Sequence, residues 1–188
     1  MEAKEPIAGF EERAVPLLMM DIDGVISLFG AGHPGAWQRA GAQVDGSARP
    51  AGSFHSIEGI PHFLSAGAAA HLLELVSVYE LVWASGWEER ANEHLPHLLG
   101  LPARPFLRFE RSVGRANAHW KLDAIDAYAG ERPLAWVDDA LNDACHEWAS
   151  ARVAPTLLVA TDPQRGLTER EASLLARWAA SLPAATPR

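Results

Sequence analysis

Four short, unbroken apolar runs punctuate the chain, and each stops at polar or turn-forming residues. Val15 to Met20 stops at Asp21, Leu81 to Ala84 at Ser85-Gly86, Leu134 to Val137 at Asp138-Asp139, and Thr156 to Ala160 at Thr161-Asp162-Pro163. Runs of this length without polar alternation are what strands buried on both faces require. The stretches between them carry helical periodicity. Leu141, Ala144, Cys145, Trp148 and Ala149 recur at i, i+3, i+4, i+7 and i+8 and predict a helix over 141–152. Thr168 with Glu171 reads as a capping box ahead of Leu174, Leu175 and Trp178, predicting a helix over 168–181. Further helices are predicted over 65–77, 87–99 and 118–129, with Pro96 a break signal in the second. Strands alternating with helices imply βαβ units: an α/β protein whose mostly parallel sheet is covered on both faces.

The segment 24–61 departs from this rhythm. It is rich in Gly, Pro and Ser, with extended pieces around Ala42 to Val44 and Ser53 to Ile57, and it predicts an irregular hairpin directly after the first acidic strand end. Loops at the carboxyl ends of parallel strands are where open α/β sheets bind ligands.

Composition narrows the class. At 188 residues, a single domain over 1–188 with a core at about 15–182 is expected. With 48% apolar and 21% charged residues the chain has the makeup of a globular protein, and no internal repeat suggests a solenoid. A net charge of -8 argues against attraction of nucleic acid or anionic membrane by the mean field, so nucleic acid enters only as a substrate. Cys145 is the single cysteine, which points to a reducing compartment. The apolar stretch Ala14 to Met20 contains Pro16 and stops at Asp21, which fits neither a signal peptide nor a membrane span, so a cytoplasmic protein is expected.

The strongest chemical signal is Met19-Met20-Asp21-Ile22-Asp23-Gly24-Val25, a strand ending in two carboxylates one residue apart. Acids this close repel, so ionising both calls for a cation or leaves one of them protonated. Magnesium with oxygen ligands meets that need, and a carboxylate so neutralised can attack phosphorus. The simpler account is an acidic Asp-Gly turn. Ser85, Lys121 and the pair Asp138-Asp139 stand at the ends of other predicted elements. A hydroxyl, an ammonium and a second acid pair are what a phosphoryl group plus a hard cation requires. Taken singly, Ser85 is a helix cap, Lys121 a solvated cation, and Asp139 and Asp143 acids favoured at a helix start. Their occurrence in one order on one kind of element favours the functional reading.

In this arrangement the sequence resembles the haloacid dehalogenase (HAD) superfamily. Asp21-Ile22-Asp23-Gly24-Val25 is similar to its first motif, Ser85 in Val82-Trp83-Ala84-Ser85-Gly86-Trp87 to the second, Lys121 to the third, and Trp136-Val137-Asp138-Asp139-Ala140-Leu141-Asn142-Asp143 to the fourth. The resemblance implies a three-layer α/β/α Rossmann-like fold with a squiggle turn and a β-hairpin flap after the first strand. It implies Asp21 as the nucleophile that becomes an aspartyl-phosphate, and Asp23 as the acid/base. Ser85, Gly86 and Lys121 would hold the phosphoryl oxygens. Mg2+ would be held by Asp21, the Asp23 backbone carbonyl and a fourth-motif acid; Asp139 suits both available alignments, with Asp138 or Asp143 assisting. Dehalogenases of this group generally lack the second acid, so Asp23 points to a magnesium-dependent phosphomonoester hydrolase.

The stretch between Asp21 and Ser85 is poor in helical runs, and that between Ser85 and Lys121 is too short for a large α/β cap. An open site suited to bulky, even macromolecular, phosphorylated substrates is therefore expected, with a homo-oligomer as the other source of a lid. A nucleic-acid end-processing phosphatase and a non-catalytic phosphate- and metal-binding regulatory module are the alternatives. Trp37, Trp87 and Trp120 lie near the motifs; packing is the simpler account of each and base stacking the alternative. Gly30-Ala31-Gly32-His33-Pro34-Gly35 satisfies a dinucleotide fingerprint but lacks the following helix, and His94, His97 and Asp143 with His146 lack zinc spacing.

Overall fold

A computed structural model of the chain describes residues 15–28, 43–44, 47–48, 50–110 and 117–183. Strand β1 (Leu17–Met20) is followed by the short β2 (Ser27–Leu28), β3 (Gln43–Val44) and β4 (Ser47–Ala48), then β5 (Gly52–Ile57), β6 (Ile60–Ser65), α1 (Ala66–Leu75), β7 (Glu80–Trp83) and α2 (Arg90–Leu99). A 3-10 turn (Ala118–Lys121) leads into α3 (Leu122–Ala129), and β8 (Leu134–Asp138), α4 (Asp143–Ala151), β9 (Thr156–Ala160) and α5 (Glu169–Ser181) complete the order.

The four apolar runs form one parallel sheet in the order β7-β1-β8-β9. Its register pairs Met20 with Trp83 on one side and with Val137 on the other, so the acidic end of β1 lies level with the ends of β7 and β8. Alternation along the strands divides their side chains between two layers. Leu18, Met20, Leu81, Trp83, Ala135 and Val137 pack with residues of α1, α2 and α5. Leu17, Met19, Val82, Ala84, Leu134 and Trp136 pack on the other side with Ile125 and Ala129 of α3 and Cys145 of α4. This is the three-layer α/β/α arrangement that the residue pattern implies. The chain runs from β1 outward to β7, then returns past β1 to β8 and β9, so the order reverses beside β1. A crevice at such a reversal is the usual ligand site of an open α/β sheet.

A hairpin follows β1 as expected, but the two extended pieces read from the sequence do not pair with each other: β5 pairs antiparallel with β6 through a two-residue turn, and β2 adds to β6. Glu58 and Gly59 both have positive φ, 52 and 82, as a tight hairpin turn with the twist of its strands demands. Pro61 in the run Ile60 to Ser65 argues against a strand, yet it sits exposed beside the turn and leaves the ladder intact. The extended piece near Val44 is paired with β4. Ser65 ends β6 and caps α1, accepting from Ala68 N at 3.1 Å. Helix α2 starts at Arg90 rather than 87, because 85–89 form turns in which Glu88 takes a φ of 51. Pro96 does not break it. The expected capping box of α5 is present, with Thr168 and Glu171 satisfying each other's backbone N–H groups. Among the described residues, no helix is long and apolar enough to cross a membrane.

Candidate active site

The turn after β1 fixes the first two acids. Asp21 N extends the ladder by donating to Val137 O at 3.0 Å, and the Ile22 carbonyl then accepts from Val25, Ile26 and Ser27, folding the chain back on itself. Gly24 takes a φ of 72 within this turn. Asp21 is left nearly buried, its Oδ1 accepting from Ile22 N at 2.8 Å. Asp23 turns the other way: Trp87 Nε1 donates to its Oδ2 at 2.9 Å, and its Oδ1 lies 3.9 Å from His62 Nδ1. Burial raises the pKa of Asp23, against the Trp87 hydrogen bond, which lowers it; the Asp21 charge adds to the rise, while His62 and the nearby Ser27 hydroxyl oppose it. A carboxyl that keeps its proton more readily than usual suits an acid catalyst.

Lys121 ends the 3-10 turn and enters the crevice from the α3 side. It is 3% exposed, with Nζ 2.8 Å from Asp21 Oδ2 and 2.7 Å from Asp138 Oδ2. Burial lowers its pKa, but the two carboxylates outweigh it and raise the pKa above the ordinary 10.5, so it remains an ammonium. Asp138, the last residue of β8, is committed at both oxygens: Oδ2 accepts from Lys121, and Oδ1 from Ala140 N at 3.0 Å. Burial and the Asp21 charge raise its pKa, with Lys121 opposing. Asp139 is half-buried, and burial together with Asp21 and Asp138 pushes its pKa up to about 6. Its side chain lies against Gly24, where any Cβ would collide with it.

Asp21, Asp138 and Asp139 each present an oxygen within 4.8 Å of the others, the one acid cluster of this kind among the described residues. Three carboxylates share one ammonium, a surplus of two negative charges. The donors are all hard oxygens, which fits magnesium. Asp23 sends its carboxyl elsewhere, so in such a site it has only its backbone carbonyl to offer. Asp143 does not join the cluster. Asn142 caps α4 by accepting from Cys145 N at 3.3 Å, which places Asp143 in the exposed first turn, where its charge favours the helix N-terminus.

Ser85, directly after β7, is 1% exposed and its Oγ has no hydrogen-bond partner. An orphaned buried hydroxyl at the mouth of a cavity fits an incoming oxyanion. The cavity has a volume of about 400 Å³ and is walled by Asp21, Asp23, Ser85, Gly86, Lys121, Asp138 and Asp139, together with Asn117, Trp120 and Ala140. Residue spacing gave no sign of Asn117, nor of His62, which reaches Asp23 from the hairpin. Of the three tryptophans near the motifs, Trp87 is buried beside Asp23, Trp120 is half-buried with its ring edge-to-face against Phe109, and Trp37 lies outside the described residues. Gly30 to Gly35 also lie outside them.

Comparison with curated proteins and with solved structures gives no match. A family model, described as the HAD domain in Swiss Army Knife RNA repair proteins, matches residues 17–172, from β1 into α5 and across every residue of the cavity. The motif order, the three-layer sheet and this match agree, and the chain belongs to the HAD superfamily, in that family of domains.

Proposed function

We propose that the protein is a magnesium-dependent phosphomonoesterase that works through an aspartyl-phosphate on Asp21. The observation that carries this is Lys121 lodged between Asp21 and Asp138, beside the partnerless Ser85 hydroxyl, in a cavity of about 400 Å³. Ser85 and Lys121 bind the phosphoryl oxygens and aim phosphorus at Asp21. The Asp21 carboxylate forms a bond to phosphorus as the ester oxygen leaves, and Asp23 gives that oxygen its proton. Asp23 then takes a proton from water, whose oxygen attacks phosphorus and releases Asp21 and inorganic phosphate. Magnesium held by Asp21, Asp139, Asp138 and the Asp23 carbonyl would supply the positive charge that lets an anionic nucleophile meet an anionic phosphate.

We further propose phosphorylated RNA ends as the substrates. The family description supports this reading, as does the build of the cavity: between β1 and β7 the described chain contains strands and α1, which packs in the core rather than over the site. The test is hydrolysis of small sugar phosphates, phosphopeptides, and oligoribonucleotides bearing 3'- or 5'-phosphates, each with magnesium and with EDTA. Release of phosphate from RNA ends only when magnesium is present is the expected result. Activity untouched by EDTA overturns the metal, and preference for a small metabolite overturns the RNA reading.

A further inference from the structure

We infer that Trp87 is a positioning residue for Asp23: its indole N–H sets the direction of the Asp23 carboxyl and thereby the delivery of a proton to the leaving oxygen. The inference rests on the phosphatase reading above.

An indole has one N–H and accepts nothing, and Trp87 commits it to Asp23 Oδ2 at 2.9 Å. Trp87 is 6% exposed and held in place. The His62 ring meets it edge-on at 5.0 Å. Arg90 donates to the Trp87 and Gly86 carbonyls at 3.3 and 3.2 Å, and its Nη1 reaches Glu58 at the hairpin tip at 2.7 Å. Glu88 pins the same turn by accepting from Phe109 N at 3.1 Å. The donor is therefore fixed from both the hairpin and α2.

The two Asp23 oxygens have different surroundings. Oδ1 is shut off from solvent and lies 3.9 Å from His62 Nδ1, beyond hydrogen-bond range, while that nitrogen is 2.9 Å from Ser27 Oγ. The Asp23 side chain is 37% exposed all the same and lines the cavity; with Oδ1 shut off, the oxygen left to meet a leaving group is Oδ2, which Trp87 holds. Without the N–H, the carboxyl rotates about its Cβ–Cγ bond, and proton transfer needs an approach of about 2.6–3.2 Å. The nucleophile does not depend on this contact, because Asp21 is held separately by Ile22 N and Lys121. Losing the N–H should therefore slow departure of poor leaving groups and spare good ones, a pattern that general loosening of the fold does not produce.

The test is Trp87→Phe, which keeps an aromatic ring and deletes the donor. The quantity to compare is kcat/KM, which covers steps only through departure of the leaving group, for a ribonucleoside 3'-phosphate and for 4-nitrophenyl phosphate. The expected result is a loss of about tenfold for the ribose ester and less than about twofold for the nitrophenyl ester. Equal losses on both, or none on either, overturn the inference alone. Failure of the wild-type protein to release phosphate from these esters and from 3'- and 5'-phosphorylated oligoribonucleotides alike removes the proposed function and the inference with it. In the 15N–1H spectrum, the Trp87 indole resonance should shift and exchange faster in Asp23→Ala, and an unchanged resonance overturns the contact whatever the activity.

Discussion

The Asp139 carboxyl occupies the space that a side chain on Gly24 would need, so the turn after β1 and the end of β8 fit together only because residue 24 has no Cβ. Gly24 also has a φ of 72, which L-residues rarely adopt. Gly24→Ala is expected to displace Asp139, to lower stability by about 1–3 kcal/mol, and to weaken magnesium binding. Denaturant melts and calorimetric titration with magnesium check both effects. Unchanged magnesium affinity would show that Asp139 is not placed by this contact.

Lys121 is the cation on which two buried carboxylates depend. Lys121→Met should cost about 3–5 kcal/mol at neutral pH, because removing one partner leaves buried charge uncompensated. The loss should shrink in acid, where Asp138, its pKa raised by burial, takes up a proton. Urea melts at pH 7 and pH 4.5 would show it, and equal losses at both would argue against a charge effect.

Asp139 gives the metal-free protein a pH dependence of definite sign. Its folded pKa of about 6 lies above the ordinary 3.8, so the folded state holds this proton more tightly than the unfolded state does. The contribution to stability is present in full below 3.8 and declines as pH rises through about 6. Magnesium competes with the same proton, so stabilisation by the metal should grow across that window. Tm against pH in EDTA and in magnesium, for wild type and Asp139→Asn, measures this. A slope unaltered by the substitution would assign the effect to other groups.

Ser85→Ala separates binding from stability. Its buried Oγ has no partner to lose, so the substitution should change stability by less than about 0.5 kcal/mol while lowering kcat/KM about tenfold. A large loss of stability with unchanged kinetics would reverse the assignment.

Asp21→Asn should abolish turnover with the circular dichroism spectrum unchanged, since the amide keeps the shape but not the anion. Asp23→Asn should slow hydrolysis of a poor leaving group by about 100-fold. More than a few per cent of wild-type turnover in Asp21→Asn, free of contaminating phosphatase, would remove Asp21 from the nucleophile's role.

The amino-acid order by itself determined the α/β class, the four sheet strands and the kinds of chemistry at their ends. Continuous apolar runs are a local signal, and a strand buried on both faces leaves little choice of residue. The capping box of α5 was legible for the same reason, being contained within Thr168 to Glu171. Tertiary structure decided the rest. Strand β6 was not legible, because its partner β5 and its tolerance of Pro61 depend on a hairpin turn at Glu58-Gly59 that no local pattern announced. Spacing left Asp138 and Asp143 as equal assistants to Asp139, and the start of α4 at Asn142 turned Asp143 outward while the β8 register carried Asp138 to Lys121. His62 and Trp87 come to Asp23 from the hairpin and from the loop after β7. Meetings between distant segments depend on strand register and chain reversal, which no local pattern of residues encodes.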